Sequence, residues 1–186
     1  MTEVRFFIKG NSLFLKYNPI RNPGEFMKKI PITKTGFEKL KKDLEHLKTV
    51  ALPENIRDIE AARAHGDISE NAEYAAAKER QAFIHGKMQE LENNLALSQV
   101  IDLKNLSSDK VVFGSTVTIE DIHTGKSIQY QLVGPFESDI SQNTISVTSP
   151  IGKALIGKSM GDGVTVQTPG GIREFEIVNI FFKEQQ

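Results

Sequence analysis

The stretch HGDISENAEY, residues 65–74, is rich in ionisable side chains and lies between two long segments with helical periodicity. In both segments apolar residues recur at steps of three and four, a spacing that places them on one face of a helix. These positions are Phe37, Leu40, Leu44, Leu47, Ile56 and Ile59 before the stretch, and Ile84, Met88, Leu91 and Leu95 after it. Because the connection is short and the apolar faces match, we expect an antiparallel coiled-coil hairpin with residues 65–74 at its bend.

The two arms of this hairpin are long. Pro53 is expected to kink the first arm or to start a new helix within it, because proline lacks the amide hydrogen that a helix interior requires. Gly66 is expected to end that arm, and the second helix to run from about Glu70 to about Leu97. At about 30 residues an arm and about 1.5 Å a residue, each arm measures roughly 45 Å, so we expect the bend to project into solvent.

Short runs of alternating or β-branched residues follow the stretch LSSDK, residues 106–110. Turn sequences such as HTGK, GDG and PGG separate them, and one short segment, SPIGKALIG, has a helical pattern. The runs are KVVFGSTVTIED, SIQYQLVG, TISVTS, GVTVQTP and REFEIVNIFF. The sequence therefore predicts an α+β fold: an N-terminal antiparallel α-helical coiled-coil hairpin over residues 27–105, then a C-terminal α+β domain, a mostly antiparallel sheet with one short helix, over residues 106–183.

Residues 1–26 precede a second methionine, Met27, after which the strong periodicity begins. Their last part, NPIRNPGEF, has the Pro, Asn and Gly content that is typical of a linker. We expect residues 1–26 to be a leader outside the fold, either a tag or the result of a misassigned start. A native extension is the alternative.

Composition excludes several classes of function. The formal net charge of −1 gives no global attraction to nucleic acid or to a membrane, and no apolar run approaches the length of a membrane span. The chain has no cysteine, which excludes a disulfide framework, a zinc–thiolate site and a thiol nucleophile. The 4 histidines are dispersed and form no zinc-binding pair. The absence of cysteine fits a reducing compartment without proving one. We expect a cytoplasmic protein that has no cofactor of its own.

The acidic residues at the bend have two interpretations. Asp67 followed three residues later by Glu70 matches a capping box, in which each side chain bonds the other residue's amide at a helix start. The same spacing also lets both carboxylates point together along the hairpin axis. Carboxylate oxygens are ligands for Mg²⁺, and two of them can complete a coordination sphere that another molecule mostly supplies. Both interpretations stay open, and they are compatible.

A family resemblance lies in the same region. ARAHGDISENAEYAAAKERQAFI, residues 62–84, resembles the tip and second arm of the bacterial Gre transcript-cleavage factors, a family of transcription elongation factors, in its GreA type. Similar segments occur in the same order at residues 30–48, 100–119 and 142–171, and the resemblance extends from Met27 to Lys183. It implies that the C-terminal domain is similar to the FK506-binding-protein (FKBP) fold.

The resemblance also implies partners and an activity. The hairpin of such factors enters the secondary channel of backtracked bacterial RNA polymerase, and the C-terminal domain grips a coiled coil of the β′ subunit. The acidic tip then stimulates the polymerase's own Mg²⁺-dependent cleavage of the nascent RNA 3′ end. The chain is thus expected to be an activator rather than an enzyme, a monomer, and without contact to a membrane.

Site residues follow from matching the family's motifs to this sequence. Asp67 and Glu70 match the acids that act on the polymerase's Mg²⁺, with no metal held by this chain alone. The residues expected to support the tip are Asn71, Glu73 and Tyr74. The basic face expected to lie toward RNA consists of Arg63, Lys78 and Arg80. The segment expected to bind polymerase consists of Ser149, Pro150 and Ile151. For Tyr74 we favour packing between the arms, and a solvated helix face is the alternative for the basic residues.

Three other functions remain as alternatives. A channel-binding inhibitor would bind the polymerase equally well without speeding cleavage. A peptidyl-prolyl isomerase or chaperone is suggested by the C-terminal fold, which is a poor guide to function. A stand-alone metal-dependent hydrolase is disfavoured, because an exposed tip offers no pocket that excludes water.

Overall fold

The protein is described by a computed structural model. It describes the backbone of residues 4–8 and 11–15, and all of residues 29–64, 71–103, 109–168 and 170–182. The chain divides into two compact units: a helical unit, Gly36–Ser98, and a sheet unit drawn from Met1–Thr35 and Gln99–Gln186.

The helical unit is an antiparallel hairpin, as predicted. Its first arm runs without a break through α1 (Lys34–His46), a π-helical turn (Leu47–Ala51) and α2 (Leu52–Ala64), and its second arm is α3 (Ala72–Leu97). Contacts between the arms show that they are antiparallel, because residues later in the first arm contact residues earlier in the second. The contacts are Lys48 with Glu92, Asn55 with Ala77, and Ala62 with Asn71.

The apolar face of α3 confirms the predicted seam. Ala77, Ile84 and Leu91, spaced seven residues apart, are buried. Met88 is half-buried between Ile84 and Leu91, and Leu95 is half-buried one turn after Leu91. A seven-residue repeat keeps one stripe of a helix facing its partner, as in coiled coils.

The first arm departs from the prediction at one position. Ile56, expected to face inward, is 42% exposed, and the neighbouring Asn55 is completely buried. A seven-residue repeat, with strictly alternating steps of four and three from Leu47, would bring residues 51, 54 and 58 inward, whereas Asn55 and Ile59 are the buried ones.

The π-helical turn explains this shift. The amide of Leu52 donates to the carbonyl of Leu47, five residues back, so the turn contains one residue more than an α-helical turn. That additional residue moves every later seam position by one. Pro53 lies in the first turn of α2, directly after the π-helical turn, and starts no separate helix because the arm is continuous.

The sheet unit contains nine strands, one α-helix and one short 3-10 helix (Ile140–Gln142) in its described residues. Two small sheets each pair two strands, β1 (Val4–Ile8) with β2 (Asn11–Leu15) and β3 (Ile30–Thr33) with β4 (Ser98–Ile101). The sequence predicted neither pair. That residues 1–26 are a leader outside the fold stays a prediction.

The main sheet has five strands in the order β7-β6-β5-β9-β8. Its neighbours are antiparallel except for β6 and β7, which are parallel. All five strands and the helix fall on the segments that the sequence predicted, which confirms the α+β fold. They are β5 (Thr116–Asp121), β6 (Ser127–Val133), β7 (Thr144–Ser146), α4 (Pro150–Leu155), β8 (Gly163–Thr168) and β9 (Gly171–Phe181).

The core of the sheet unit lies between one face of this sheet and α4. Val117, Ile119, Leu132 and Ile177 on that face are fully buried, together with Leu155 of α4. On β9, Phe175 and Ile177 alternate with the exposed Glu174, Glu176 and Val178, as period-two side-chain placement requires.

Strand β3 is fastened to the loop that follows β6. Oε1 of Glu137 accepts hydrogen bonds from the amides of Thr33, at 2.8 Å, and Gly134, at 2.9 Å, and Oε2 accepts one from the Thr33 hydroxyl. Glycine is required at position 134, because a Cβ there would lie 2.1 Å from the carbonyl oxygen of Pro31.

Within the described parts of the chain, no helix is both long enough and apolar enough to cross a membrane.

Candidate functional site

The two acids that the sequence singled out, Asp67 and Glu70, lie outside the described residues. So does the rest of the connection, residues 65–70. In the part of the chain that the structure does describe, no group of three or more His, Asp or Glu side chains is placed to hold a metal ion. The described flanks of the connection are the end of α2 and the start of α3.

Asn71 closes the hairpin at the start of α3. Its Oδ1 accepts hydrogen bonds from the amides of Glu73, at 3.0 Å, and Tyr74, at 3.1 Å, which makes it the N-cap of the helix. Its Nδ2 donates to the carbonyl oxygen of Ala62 in the last turn of α2, at 2.8 Å. One side chain thus satisfies amides at the start of one helix and a carbonyl near the end of the other.

This geometry corrects one part of the capping-box interpretation. The N-cap of α3 is Asn71, so Asp67 does not cap that helix. A local bond between Asp67 and Glu70 would lie within residues 65–70, outside the described residues. The N-cap position was missed because Asn71 follows two acids that match the commoner capping-box spacing.

Tyr74 and Arg63 form a contact between the arms. The guanidinium carbon of Arg63 lies 5.6 Å from the centre of the Tyr74 ring, within cation–π range. A hydrogen bond from Arg63, and the positive charges of Arg63 and Lys78, hold the pKa of Tyr74 below its usual value against some desolvation. The favoured packing role for Tyr74 agrees with its half-buried position.

A groove beside this contact runs between α2 and α3. It has a volume of about 200 Å³, and its lining includes two isoleucines, two basic residues and one acid. The lining residues are Ile56, Ile59, Glu60, Arg63, Lys78 and Gln81. The exposed Ile56, which the sequence placed in the seam, therefore lines a surface groove.

The three predicted basic residues are not equivalent. Arg80 forms an exposed ion pair with Asp58, with Nη1 3.1 Å from Oδ2, so a carboxylate already faces its charge. Lys78 donates to the neutral Gln81 side chain at 2.6 Å, and Arg63 faces the Tyr74 ring. Only Arg63 and Lys78 of the three line the groove.

The segment predicted to bind polymerase begins α4. Ser149 is the N-cap: its Oγ accepts from the amide of Gly152 at 3.1 Å, and its hydroxyl donates to the carbonyl of Ser146 at 2.7 Å. Pro150 follows in the first helical turn and is exposed, whereas Ile151 packs partly against the core. Ser149 therefore shapes the segment, and Pro150 is its most accessible residue.

Gly152 allows this helix to start where it does. A Cβ at position 152 would lie 2.1 Å from the carbonyl oxygen of Ser146, so any other residue would push α4 away from the end of β7. The exposed edge at Pro150 depends on this close approach.

Comparison with known proteins identifies the family. A model for "Transcription elongation factor, N-terminal" matches residues 30–100, and one for "Transcription elongation factor, GreA/GreB, C-term" matches residues 106–181. The chain belongs to the GreA/GreB family of transcription elongation factors, which confirms the resemblance inferred from its motifs.

Individual relatives are similar over nearly their whole length. The transcription elongation factor GreA of Syntrophus aciditrophicus (strain SB) is 71% identical over 160 residues, which are 86% of this chain and 99% of that protein. GreA of Methylococcus capsulatus is 55% identical over 155 residues, 83% of this chain and 98% of that protein. The solved structure of the Gfh1 protein of Thermus thermophilus is 30% identical, covers 83% of this chain and 99% of its own, and gives a TM-score of 0.39.

Proposed function

We propose that the protein binds bacterial RNA polymerase, as a monomer, when the enzyme has backtracked along its template. The helical hairpin enters the secondary channel and stimulates the polymerase's own hydrolysis of the RNA 3′ end, so that elongation resumes. Membership of the GreA/GreB family of transcription elongation factors is the observation that carries this proposal. The protein does not itself cleave RNA. It adds groups to the active site of the polymerase, which carries out the cleavage.

The helical unit has the dimensions of a probe. α3 alone has 26 residues, which corresponds to about 39 Å of helix. The hydrogen bond between Asn71 and Ala62 brings the arms together just before the connection, residues 65–70, that carries Asp67 and Glu70. The two acids thus belong to the segment that such a probe would deliver first.

Asp67 and Glu70 supply carboxylate oxygens to Mg²⁺ of the polymerase active centre. Mg²⁺ in proteins commonly takes one or two carboxylates together with waters and phosphate oxygens. Two carboxylates are too few to bind it tightly, so the polymerase and the RNA contribute the remaining ligands. When bound, the ion stabilises the negative charge that develops on the phosphate oxygens. Asn71 supports the acids by fixing the start of α3, and Glu73 and Tyr74 lie in its first turn.

Arg63 and Lys78 form the face toward RNA. They line the same groove, and Arg80 does not. Two cations and two isoleucines suit a nucleotide, which offers both phosphate and a base face, and the groove has one acid, Glu60, among its lining residues. Arg80 contributes less, because Asp58 offsets its charge.

Pro150 and Ile151 contact the β′ coiled coil at the channel rim. The rigid, capped start of α4 presents Pro150 to solvent, and Ser149 and Gly152 hold that start in place. A preorganised apolar edge loses little entropy on binding.

A backtracked elongation complex with 5′-labelled RNA tests the proposal. Added protein should shorten the RNA from its 3′ end, and Asp67→Asn and Glu70→Gln should each abolish the stimulation while still competing with the parent for polymerase. Glu54→Gln, which removes an exposed acid in the first turn of α2, is the matched control and should act like the parent. Parent protein that binds yet slows cleavage would instead identify a channel-binding inhibitor, and RNA hydrolysis without polymerase would identify a hydrolase.

A further inference from the structure

A buried amide lies in the seam of the hairpin. The side chain of Asn55 in α2 is completely buried against α3. Its Nδ2 donates to the carbonyl oxygen of Ala77 at 2.9 Å, and its Oδ1 has no hydrogen-bond partner among the described residues. Burying a half-satisfied amide costs stability, and a leucine of similar size would pack better at such a position. The residue therefore calls for a role other than stability.

The apolar packing around Asn55 gives weak control of register. Toward the bend the buried seam residues are the small Ala62 and Ala77, with Ile59 between Asn55 and Ala62. Alanine methyl groups are shallow knobs, so the holes of the facing helix discriminate poorly between neighbouring alignments. A single polar residue in a coiled-coil seam is a known means of selecting one alignment.

Two directional bonds cross the hairpin in opposite senses. Asn55 of α2 donates to a carbonyl of α3, and Asn71 at the start of α3 donates to the carbonyl of Ala62 in α2. Sliding one helix along the other by one turn, about 5.4 Å, would break both bonds.

We propose that Asn55 is a positioning residue whose bond to Ala77 fixes the axial register of α2 against α3. Through that register it sets where the connecting residues 65–70, and with them Asp67 and Glu70, stand along the hairpin axis. The consequence for cleavage rests on the proposed function; the register itself does not. Misplacement of an acting group by about 1 Å can cost roughly a hundredfold in rate.

Distance measurement between two nitroxide labels tests the register directly. The chain has no cysteine, so Glu45→Cys and Glu79→Cys, at exposed sites on α1 and α3, give unique labelling positions. We expect one narrow distance distribution in the labelled parent. Asn55→Leu should broaden it or add a component displaced by about 5 Å, one helical turn. Asn93→Leu, the same change at an exposed position of α3, should leave it narrow.

Stability and activity distinguish positioning from a structural role. Asn55→Leu should melt at the parent's temperature or above it, since an apolar residue replaces a half-satisfied amide. Its maximal rate of stimulated RNA cleavage should fall about tenfold, while the half-saturating concentration changes by less than about twofold. Loss of folding would instead raise that concentration and lower the melting temperature together.

Asn55→Ala, which removes the donor without adding bulk, should show the same broadened distribution. A narrow, unshifted distribution in both variants would overturn the register assignment. A shifted distribution with an unchanged cleavage rate would overturn its link to the acids. If the parent itself failed to stimulate cleavage, the proposed function would fail, and the label distances would still decide the register.

Discussion

Glu120 and Glu176 stand directly opposite each other on the neighbouring antiparallel strands β5 and β9. Side chains that pair in this way lie on the same face of the sheet with their Cβ atoms about 5 Å apart. Two like charges at that separation repel each other and destabilise the pairing.

Replacing one of these acids should therefore stabilise the sheet unit. We expect Glu176→Lys to raise the free energy of unfolding by about 0.5 kcal/mol at low ionic strength, since repulsion becomes attraction. Urea unfolding in low salt and in about 1 M salt measures the effect, which should fade as salt screens the charges. Glu176→Gln is the control and should give a smaller gain. An equal gain at both salt concentrations would argue against an electrostatic origin.

Asp121 should make stability depend on pH. Its Oδ1 accepts from the amides of Thr124, at 2.8 Å, and His123, at 3.0 Å. These bonds, with a smaller contribution from Arg173, hold the pKa of Asp121 below its usual value despite its burial. A carboxyl whose pKa is lowered on folding stabilises the folded state above its unfolded pKa, about 3.9, and loses that effect as the pH falls through the folded pKa.

The substitution Asp121→Asn isolates this charge. Asparagine keeps an oxygen that accepts from both amides but removes the titration and the attraction to Arg173. We expect the variant to be less stable than the parent at pH 7, and the difference to shrink toward zero in acid below about pH 4. Urea unfolding across that pH range measures it, with the exposed Asp109→Asn as control. A difference that is constant with pH would contradict the role of the charge.

Glu137 should contribute to stability through strand β3. Glu137→Ala removes the acceptor of the Thr33 and Gly134 amides, and we expect a loss of about 2 to 3 kcal/mol because partly buried donors are left without a partner. Glu137→Gln keeps one amide oxygen as acceptor and should lose about 1 kcal/mol. Thermal unfolding gives the loss, and faster hydrogen exchange at the Thr33 amide would locate it. Unchanged exchange there would show that the strand is held by other contacts.

Two substitutions of Asn71 should separate the contribution of helix capping to stability from that of the hydrogen bond across the hairpin. Asn71→Asp keeps the oxygen that accepts from the Glu73 and Tyr74 amides but cannot donate to the carbonyl of Ala62. Asn71→Ala loses both interactions, and we expect it to cost about 1 kcal/mol more than the aspartate change. Chemical unfolding followed by circular dichroism, which reports mainly the long helices, measures both. Equal losses would show that the cap itself contributes little.

The sequence predicted most of the fold because its strongest signals are local. The seam of α3 from Ile84 to Leu95 and the five strands of the main sheet each follow from periodicity within one segment. The pairing of β3 with β4 and the parallel pairing of β6 with β7 depend on contacts between distant segments, so no local pattern indicates them.

The candidate site shows the same division. The sequence motif named the residues around the bend, but their partners depend on how the two arms align. Asn55 was missed because an additional residue in the π-helical turn shifted the seam, and an asparagine gives no hydrophobic signal. The neutralisation of Arg80 by Asp58 likewise requires residues from both arms, 22 positions apart.

The bond between Thr33 and Glu137 has a consequence for synthesis on the ribosome. Its partners are separated by 104 positions in the sequence. Strand β3 therefore leaves the exit tunnel long before Glu137, whose carboxylate bonds to it, has been synthesised. The hairpin, whose contacts are closer in sequence, can assemble in the meantime, since domains emerge and fold from the N-terminus onward. A nascent chain arrested before residue 137 should therefore contain the folded helical hairpin, while strand β3 still lacks its hydrogen bonds to the Glu137 carboxylate.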